Sequence, residues 1–328
     1  MISKRIFWSV IAAVCCCFIA MEPATAEDYP SHPITMVLPF SAGGPTDTLA
    51  RIIGARMQVL LGQPVIIENV TGAAGTIGVG RVARAAPDGY TVSVGPMNSH
   101  VLTGAVYNLP FDLLRDLEPV ALLANNPSVV VSKKDVPAKD LKELIAWVKA
   151  NPDKVLAGTS GVGAATHLGG ILFETLSGTR VQFIPYRGTG PSMQALVAGQ
   201  IDLIFDQLSS SLPQIQQGAI RSYAVMSKTR AEAAPDIPTV DEAGLPGLYL
   251  PVWTGMWVPK NTPKDIIAKL NSAVVESLAD ATVRKRLADI GLEIYPREQQ
   301  TPEALHAYQA AEIEKWWPIV KAAGIKAE

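Results

Sequence analysis

Ile34-Thr-Met-Val-Leu-Pro-Phe-Ser-Ala-Gly-Gly-Pro-Thr-Asp-Thr-Leu-Ala-Arg51 reads as a strand, a glycine-rich turn and the start of a helix. Ile34 to Leu38 is a short apolar run of strand type. Gly43 and Gly44 permit a tight reversal that side chains would block. Thr46 or Asp47 is placed to cap the following helix, and Pro45 suits its entry. Leu49, Ile52, Ile53, Met57, Leu60 and Leu61 then fall at helical spacing until Gly62 and Pro64 stop the run. Such a turn points free backbone N–H groups outward at the positive end of a helix dipole, which suits an anion.

A second stretch, Val155-Leu-Ala-Gly-Thr-Ser-Gly-Val-Gly-Ala-Ala-Thr-His-Leu168, repeats the layout. Gly158, Gly161 and Gly163 keep its backbone bare, and Thr159, Ser160 and Thr166 supply hydroxyls. Either turn alone could be an ordinary βα connection. The pair points to two lobes closing on one small acidic molecule.

The 328 residues carry a formal net charge of -2, with no basic face for a nucleic acid. The length permits two domains. Lys4 and Arg5, the apolar run from Ile6 to Met21 and Ala24-Thr-Ala26 predict a secretory signal cut after Ala26. The alternative, a lipoprotein signal at Cys15, Cys16 or Cys17, has Val14 where a small residue is expected. All three cysteines fall in this segment, so the mature chain is expected to lack disulfides, thiol nucleophiles and cysteine metal sites. No later apolar run is long enough to cross a membrane.

The remaining chain alternates strand and helix signals, which argues for an α/β fold with parallel sheets flanked by helices. Pro96-Met-Asn-Ser-His100 is a loop at a strand's carboxyl end, where ligands of open α/β sheets bind, so Asn98 and Ser99 are candidates. Glu118–Ala124 and Val129–Ser132, around Asn125-Asn-Pro127, are read as the crossing into a second lobe, and Leu250–Pro259 as the crossing back. Asp206 and Gln207 are expected just past a strand over 201–205. Thr262 is expected to cap a helix begun by Pro263, and Trp316 and Trp317 to be packing anchors.

Among catalytic motifs there is no Gly-x-x-x-x-Gly-Lys-Ser/Thr, no His-Glu-x-x-His and no Gly-x-Ser-x-Gly. Asp47 and Asp206 could form a carboxylate pair, but simpler roles are expected: Asp47 bracing its own loop and Asp206 accepting at the cleft. His167, in the first turn of a helix, is expected to brace its loop.

Taken together, the ordered series resembles the Bug family, periplasmic receptors of tripartite tricarboxylate transporters. Its pieces are Tyr29-Pro30…Pro33-Ile34, Pro39-Phe40-Ser-Ala-Gly43-Gly44-Pro-Thr-Asp47, Glu68-Asn69…Gly72-Ala-Ala-Gly75 and Ala86-Pro-Asp-Gly-Tyr90. Further pieces are Gly158-Thr-Ser-Gly161-Val-Gly163…His167-Leu168, Pro185-Tyr-Arg-Gly188, Gly199-Gln-Ile-Asp202…Phe205-Asp206 and Pro238-Thr239…Glu242-Ala-Gly244. The resemblance implies a two-lobed periplasmic-binding-protein fold (type II, Venus flytrap), each lobe a mostly parallel sheet flanked by helices. Residues 27–125 and 251–328 would form one lobe and 126–250 the other, after a signal peptide over 1–26. It implies no catalysis, no cofactor and no metal. A monomer in the periplasm would bind a small carboxylate and hand it to membrane permease subunits. Carried over by position, the ligand would meet Phe40, Ser41, Ala42, Gly44 and Asp47 on one side and Thr159, Ser160, Gly163, Thr166 and His167 on the other, with Asp206 at the rim. Ala164 stands where the family often has Ser, and Gln207 where Asn is frequent, so the ligand's identity does not carry over. Arg187 reads either as a reach to the ligand's far end or as a solvated loop charge. Other readings are a ligand-sensing partner of a membrane sensor kinase, and a secreted hydrolase using Asp47 or His167.

Overall fold

The computed structural model describes residues 29–325. The predicted signal segment, its cleavage site and the three cysteines lie outside those residues. A compact unit begins at His32; before it, residues 29–31 include a cis peptide between Tyr29 and Pro30.

The first strand, β1 (Ile34–Leu38), is the centre of a parallel group. It pairs with β2 (Val65–Asn69), Ile34 opposite Val65, and with β3 (Thr91–Pro96), Val37 opposite Ser93. Helix α1 (Pro45–Leu61) connects the first two strands and α2 (Thr76–Ala83) precedes the third. The expected stripe of α1 is buried at Leu49, Ile52, Ile53 and Met57, while Leu60 is 41% exposed. Gly62 ends the helix at φ 69°, a left-handed conformation that costs glycine little. Neither Thr46 nor Asp47 caps α1, because Gly44 holds that position with Pro45 directly after it. Asp47 instead reaches back from the first turn to accept from Gly43 N at 3.0 Å.

A π-helical turn (Asn98–Leu102) and α3 (Thr103–Val106) lead to β4 (Leu117–Lys133). The two apolar segments expected on either side of Asn125-Asn-Pro127 are one 17-residue strand. Proline is tolerated because β4 changes partners there. Up to Pro127 it runs antiparallel to β9 (Pro251–Pro259), Pro127 opposite Pro251. From Ser128 it runs antiparallel to β7 (Leu203–Gln207) and β8 (Ile220–Val225). Asp206 and Gln207 therefore lie in β7 rather than past it.

After β4 come α4 (Leu141–Ala150), β5 (Leu156–Thr159), α5 (Ala165–Ser177), β6 (Gln182–Pro185), α6 (Thr189–Val197) and, past β7, α7 (Leu208–Gln216). Asp140 caps α4 by accepting from Glu143 N while Glu143 accepts from Lys139 N, both at 2.8 Å. Strand β5 is parallel to β6 and β7, which repeats the β1 group. The sheet order is β2-β1-β3-β9-β4-β7-β5-β6: two parallel triads joined through the antiparallel pair β9-β4. Among the named strands parallel pairing is confined to the triads; a single parallel bridge, Val225 to Thr239, lies outside them.

The chain ends with α8 (Lys264–Ala279), α9 (Ala281–Asp289), β10 (Glu293–Ile294) on β4, and α10 (Pro302–Ala322). Thr262 does not cap α8; its hydroxyl donates backwards to Pro259 O at 2.7 Å. The indoles of β9 fasten α10, Trp257 Nε1 donating to Gln309 Oε1 at 3.0 Å and Trp253 Nε1 to Glu312 Oε2 at 3.3 Å. Trp316, 3% exposed, donates to the same Glu312 oxygen at 2.8 Å, as a packing anchor does.

Candidate functional site

The carboxyl ends of both triads carry the nominated residues. In the turn after β1, Asp47 is buried and its two oxygens take four donors. Oδ2 accepts from Gly43 N at 3.0 Å and Arg51 Nε at 2.9 Å; Oδ1 accepts from Arg51 Nη2 at 2.9 Å and Asn69 Nδ2 at 3.1 Å. Asn69, the last residue of β2, also donates to Phe40 O at 2.9 Å, so one amide and one carboxylate set the path of residues 40–43. Burial pushes the Asp47 carboxyl up, but the hydrogen bonds from Arg51, Gly43 and Asn69 outweigh it and hold the group below the usual range.

The loop after β5 braces itself in the same way. Thr166 Oγ1 accepts from Ser160 N at 2.8 Å and shares a hydrogen bond with Ser160 Oγ at 3.0 Å. Gly163 N donates to His167 Nδ1 at 3.1 Å, which assigns the proton of the neutral ring to Nε2. The ring stands edge-on to Phe183 at 4.6 Å, and burial lowers its pKa to about 4. His167 is therefore uncharged at neutral pH, with its acceptor nitrogen already occupied. Thr159 lies buried at the end of β5, its hydroxyl 3.4 Å from Gly161 N.

The two loops share a cavity of ≈ 570 Å³ lined by Phe40, Gly72, Ala73, Ala74, Gly75, Tyr107, Ser160, Gly161, Val162, Pro185, Tyr186, Arg187 and Pro191. The backbones around it approach so closely that glycine is required. A β-carbon on Gly188 would lie 2.4 Å from Ser41 Oγ, and one on Gly190 would lie 2.9 Å from Ala42 O. Gly161 faces Ala74 Cα, which a β-carbon would approach to 3.3 Å. Ala73 and Ala74 hold φ values of 46° and 51°, a left-handed pair that non-glycine residues rarely adopt and that clusters at binding sites.

Three nominated side chains each carry a buried atom with no protein partner: Ser41 Oγ, Asn98 Oδ1 and Asp206 Oδ1. Unpaired buried polar atoms are costly, and these three stand at strand ends; Arg56 Nε and Asn125 Oδ1 lack a hydrogen-bond partner elsewhere. Asp206 is fully buried; Ser211 Oγ donates to its Oδ2 at 2.6 Å and Ser210 Oγ donates to the same oxygen. Burial pushes its pKa up to about 6 against the hydrogen bonds from Ser210, Ser211 and Gln207 N.

Of the twelve nominated residues, Phe40 and Ser160 line the cavity. Ser41, Ala42 and Gly44 sit against the loop of Gly188 and Gly190 beside it, and Gly163 packs on Val106. Asp47, Thr166 and His167 brace the loops from behind. Asn98 and Asp206 stand buried at the ends of β3 and β7, outside the cavity wall. Arg187 is exposed on that wall. Asn69, Ala73, Ala74 and Tyr107 were not nominated; Gly72-Ala-Ala-Gly75 and Glu68-Asn69 were visible as motifs, whereas Tyr107 has no local signature. Among the described residues no three His, Cys, Asp or Glu side chains form a metal-holding group, and no helix is long and apolar enough to cross a membrane.

The sequence profile of the tripartite tricarboxylate transporter family receptor matches residues 49–325. The chain belongs to this receptor family. The structure of the periplasmic binding protein BugD superposes with a TM-score of 0.88 at 38% identity, covering 91% of this chain and all (100%) of that one. MatC from Rhodopseudomonas palustris, with bound malate, gives 0.86 at 40% identity over 89% of this chain and 100% of its own. A further R. palustris protein, with adipate, gives 0.87 at 33% identity over 92% and 100%. The chain is thus a Bug-family receptor with a periplasmic-binding-protein fold. The family and these neighbours are substrate-binding proteins, not enzymes, and carboxylates occupy two of them.

Proposed function

We propose that the protein is an extracytoplasmic solute receptor that closes two lobes on a small carboxylate and delivers it to the permease subunits of a tripartite tricarboxylate transporter. The observation that carries this reading is the meeting of the Ser41 turn and the Ser160 loop around one cavity, with Ser41 Oγ buried and unpartnered. A carboxylate needs several N–H and O–H donors, and bonds to a charged acceptor are stronger than neutral ones. The cavity's volume lies within the usual range for small-molecule pockets, and malate and adipate are bound by two of the similar structures. One lobe would comprise residues 27–125 and 251–328 and the other 126–250. The exchange of β4's partners after Pro127 and the start of β9 at Pro251 support that division. A signal peptide ending at Ala26 would send the receptor to the periplasm as a monomer; N-terminal sequencing of the exported protein checks the cut.

Thermal shift and calorimetry of residues 27–328 against malate, adipate and aromatic carboxylates test the reading. A ligand at a hundred times its dissociation constant is expected to stabilise the fold by about 2.7 kcal/mol. Binding of a cationic or neutral compound, with none of any carboxylate, would overturn it. In a carboxylate-binding protein, Ser41→Ala is expected to weaken affinity about three- to tenfold, the worth of one hydrogen bond, with little change in unfolding temperature. An equal affinity would remove Ser41 from the site.

A further inference from the structure

We infer that Tyr107 is the latch that holds the closed receptor shut, its hydroxyl donating to Val162 O from the segment after β3 to the loop after β5. The inference rests on the closing-receptor reading above and assigns the release step to one residue. The bond is 3.0 Å long and joins residues 55 apart in sequence. Tyr107 also lines the cavity, so it touches the space the ligand would use.

The segment that carries Tyr107 is built as a stiff arm. Thr103 Oγ1 donates to Ser99 O at 3.0 Å and Tyr107 N to Thr103 O at 2.8 Å, which continues the π-helical turn into α3. Helix α10 fixes the arm from outside: Trp317 Nε1 donates to Val101 O and Gln309 Nε2 to His100 O, both at 2.9 Å. Trp317 also closes over Gly104, where a β-carbon would meet the indole at 2.5 Å. The tip is matched to its target. Val106 lies on the bare face of Gly163, where a β-carbon would come 2.7 Å from Val106 Cγ2, and the next residue reaches Val162. The target loop is equally fixed, through Gly163 N on His167 and Ser160 N on Thr166. Two stiff parts joined by one directional bond and one packed methyl give closure a definite end point. Burial keeps the phenol above its ordinary pKa, so it remains a donor throughout the physiological range.

Such a bond forms when the arm and the loop meet, so its loss is expected to fall on release rather than on association. Tyr107→Phe keeps the ring and the cavity wall and removes only the donor. Release of L-malate, followed by stopped flow, is expected to be about three- to tenfold faster in the variant, the range of one exchanged hydrogen bond, with association changed less than twofold. Closure is read separately with spin labels on Val59→Cys and Val197→Cys, two exposed helical positions in a chain whose own cysteines all precede residue 27. The Tyr107→Phe protein should then show a smaller short-distance population than its parent. Equal release rates and equal distance distributions would overturn the latch while leaving the receptor reading intact. If the parent does not bind malate, the choice of ligand fails, and the label distances alone decide for or against the latch.

Discussion

Asp47→Ala is expected to lower stability by about 2–4 kcal/mol and to remove most of the affinity for a carboxylate, because hydrogen bonds to a charged group contribute about 1.5–3 kcal/mol each and several are lost together. The carboxylate joins Gly43, Arg51 and Asn69, and through Asn69 it fixes the carbonyl of Phe40. Its removal frees residues 40–43, which place Ser41 Oγ against Gly188. Arg51 is half-exposed and can turn to solvent, so the stability loss stays below the sum of the bonds. Asp47→Asn separates charge from shape: it keeps one acceptor oxygen and loses the Arg51 pair, so an intermediate loss is expected. Urea unfolding at pH 7 and calorimetry with a bound carboxylate read both effects. The native pKa lies below the ordinary value, so the stabilisation is present above 3.8 and is lost as pH falls through the native pKa. Full affinity in Asp47→Ala would show that the turn keeps its path without the brace.

The parts of the site that lie in short stretches were legible because their signals are local. Gly43-Gly44-Pro45 and Gly161-Val-Gly163 announce βα turns, and an acid or a histidine one turn into the following helix has its own loop within reach; Asp47 and His167 both brace in that way. Asn98 and Asp206 could be nominated from their places at strand ends, and Ser41 through the family resemblance. That each would keep an unpaired atom depends on what surrounds it in three dimensions. Chain-distant contacts left no such mark. Tyr107 meets Val162 only because the parallel triads place the ends of β3 and β5 toward one another. Local signals also misled: Thr46 or Asp47 suits a cap for α1, but Gly44 holds that position. Asn125-Asn-Pro127 carries turn-type residues, yet β4 runs through it, since Pro127 sits where the strand exchanges β9 for β7 and β8. Thr262 before a proline fits a capping pattern, but its hydroxyl found Pro259 O first.

Asp206→Asn is expected to steepen the loss of stability on acidification. Burial raises the native pKa of Asp206 to about 6 from 3.8, and none of the groups that lower it is a cation. The sign follows from proton uptake: between those values the folded chain holds a proton that the unfolded chain has lost. The corresponding stabilisation is complete below pH 3.8 and disappears as pH rises through about 6. At about 1.36 kcal/mol per pH unit, the difference is on the order of 3 kcal/mol. His167 and the fully buried His100, with native pKa values lowered by burial to about 4 and about 3, work in the opposite direction: their stabilisation is complete above 6.5 and is lost on acidification. Between pH 4 and 7 the parent therefore carries the Asp206 contribution against those of the two histidines. Asparagine keeps an acceptor for Ser210 and Ser211 and does not titrate, which removes the aspartate contribution and leaves those of His100 and His167 unopposed by it. Relative to its own value at pH 7.5, the Asp206→Asn protein should lose more stability than the parent by pH 4.5, by about 2 kcal/mol in urea titrations. Parallel profiles for the two proteins would mean that Asp206 titrates in the fold as it does in the unfolded chain, and that its unpaired Oδ1 is reached by solvent.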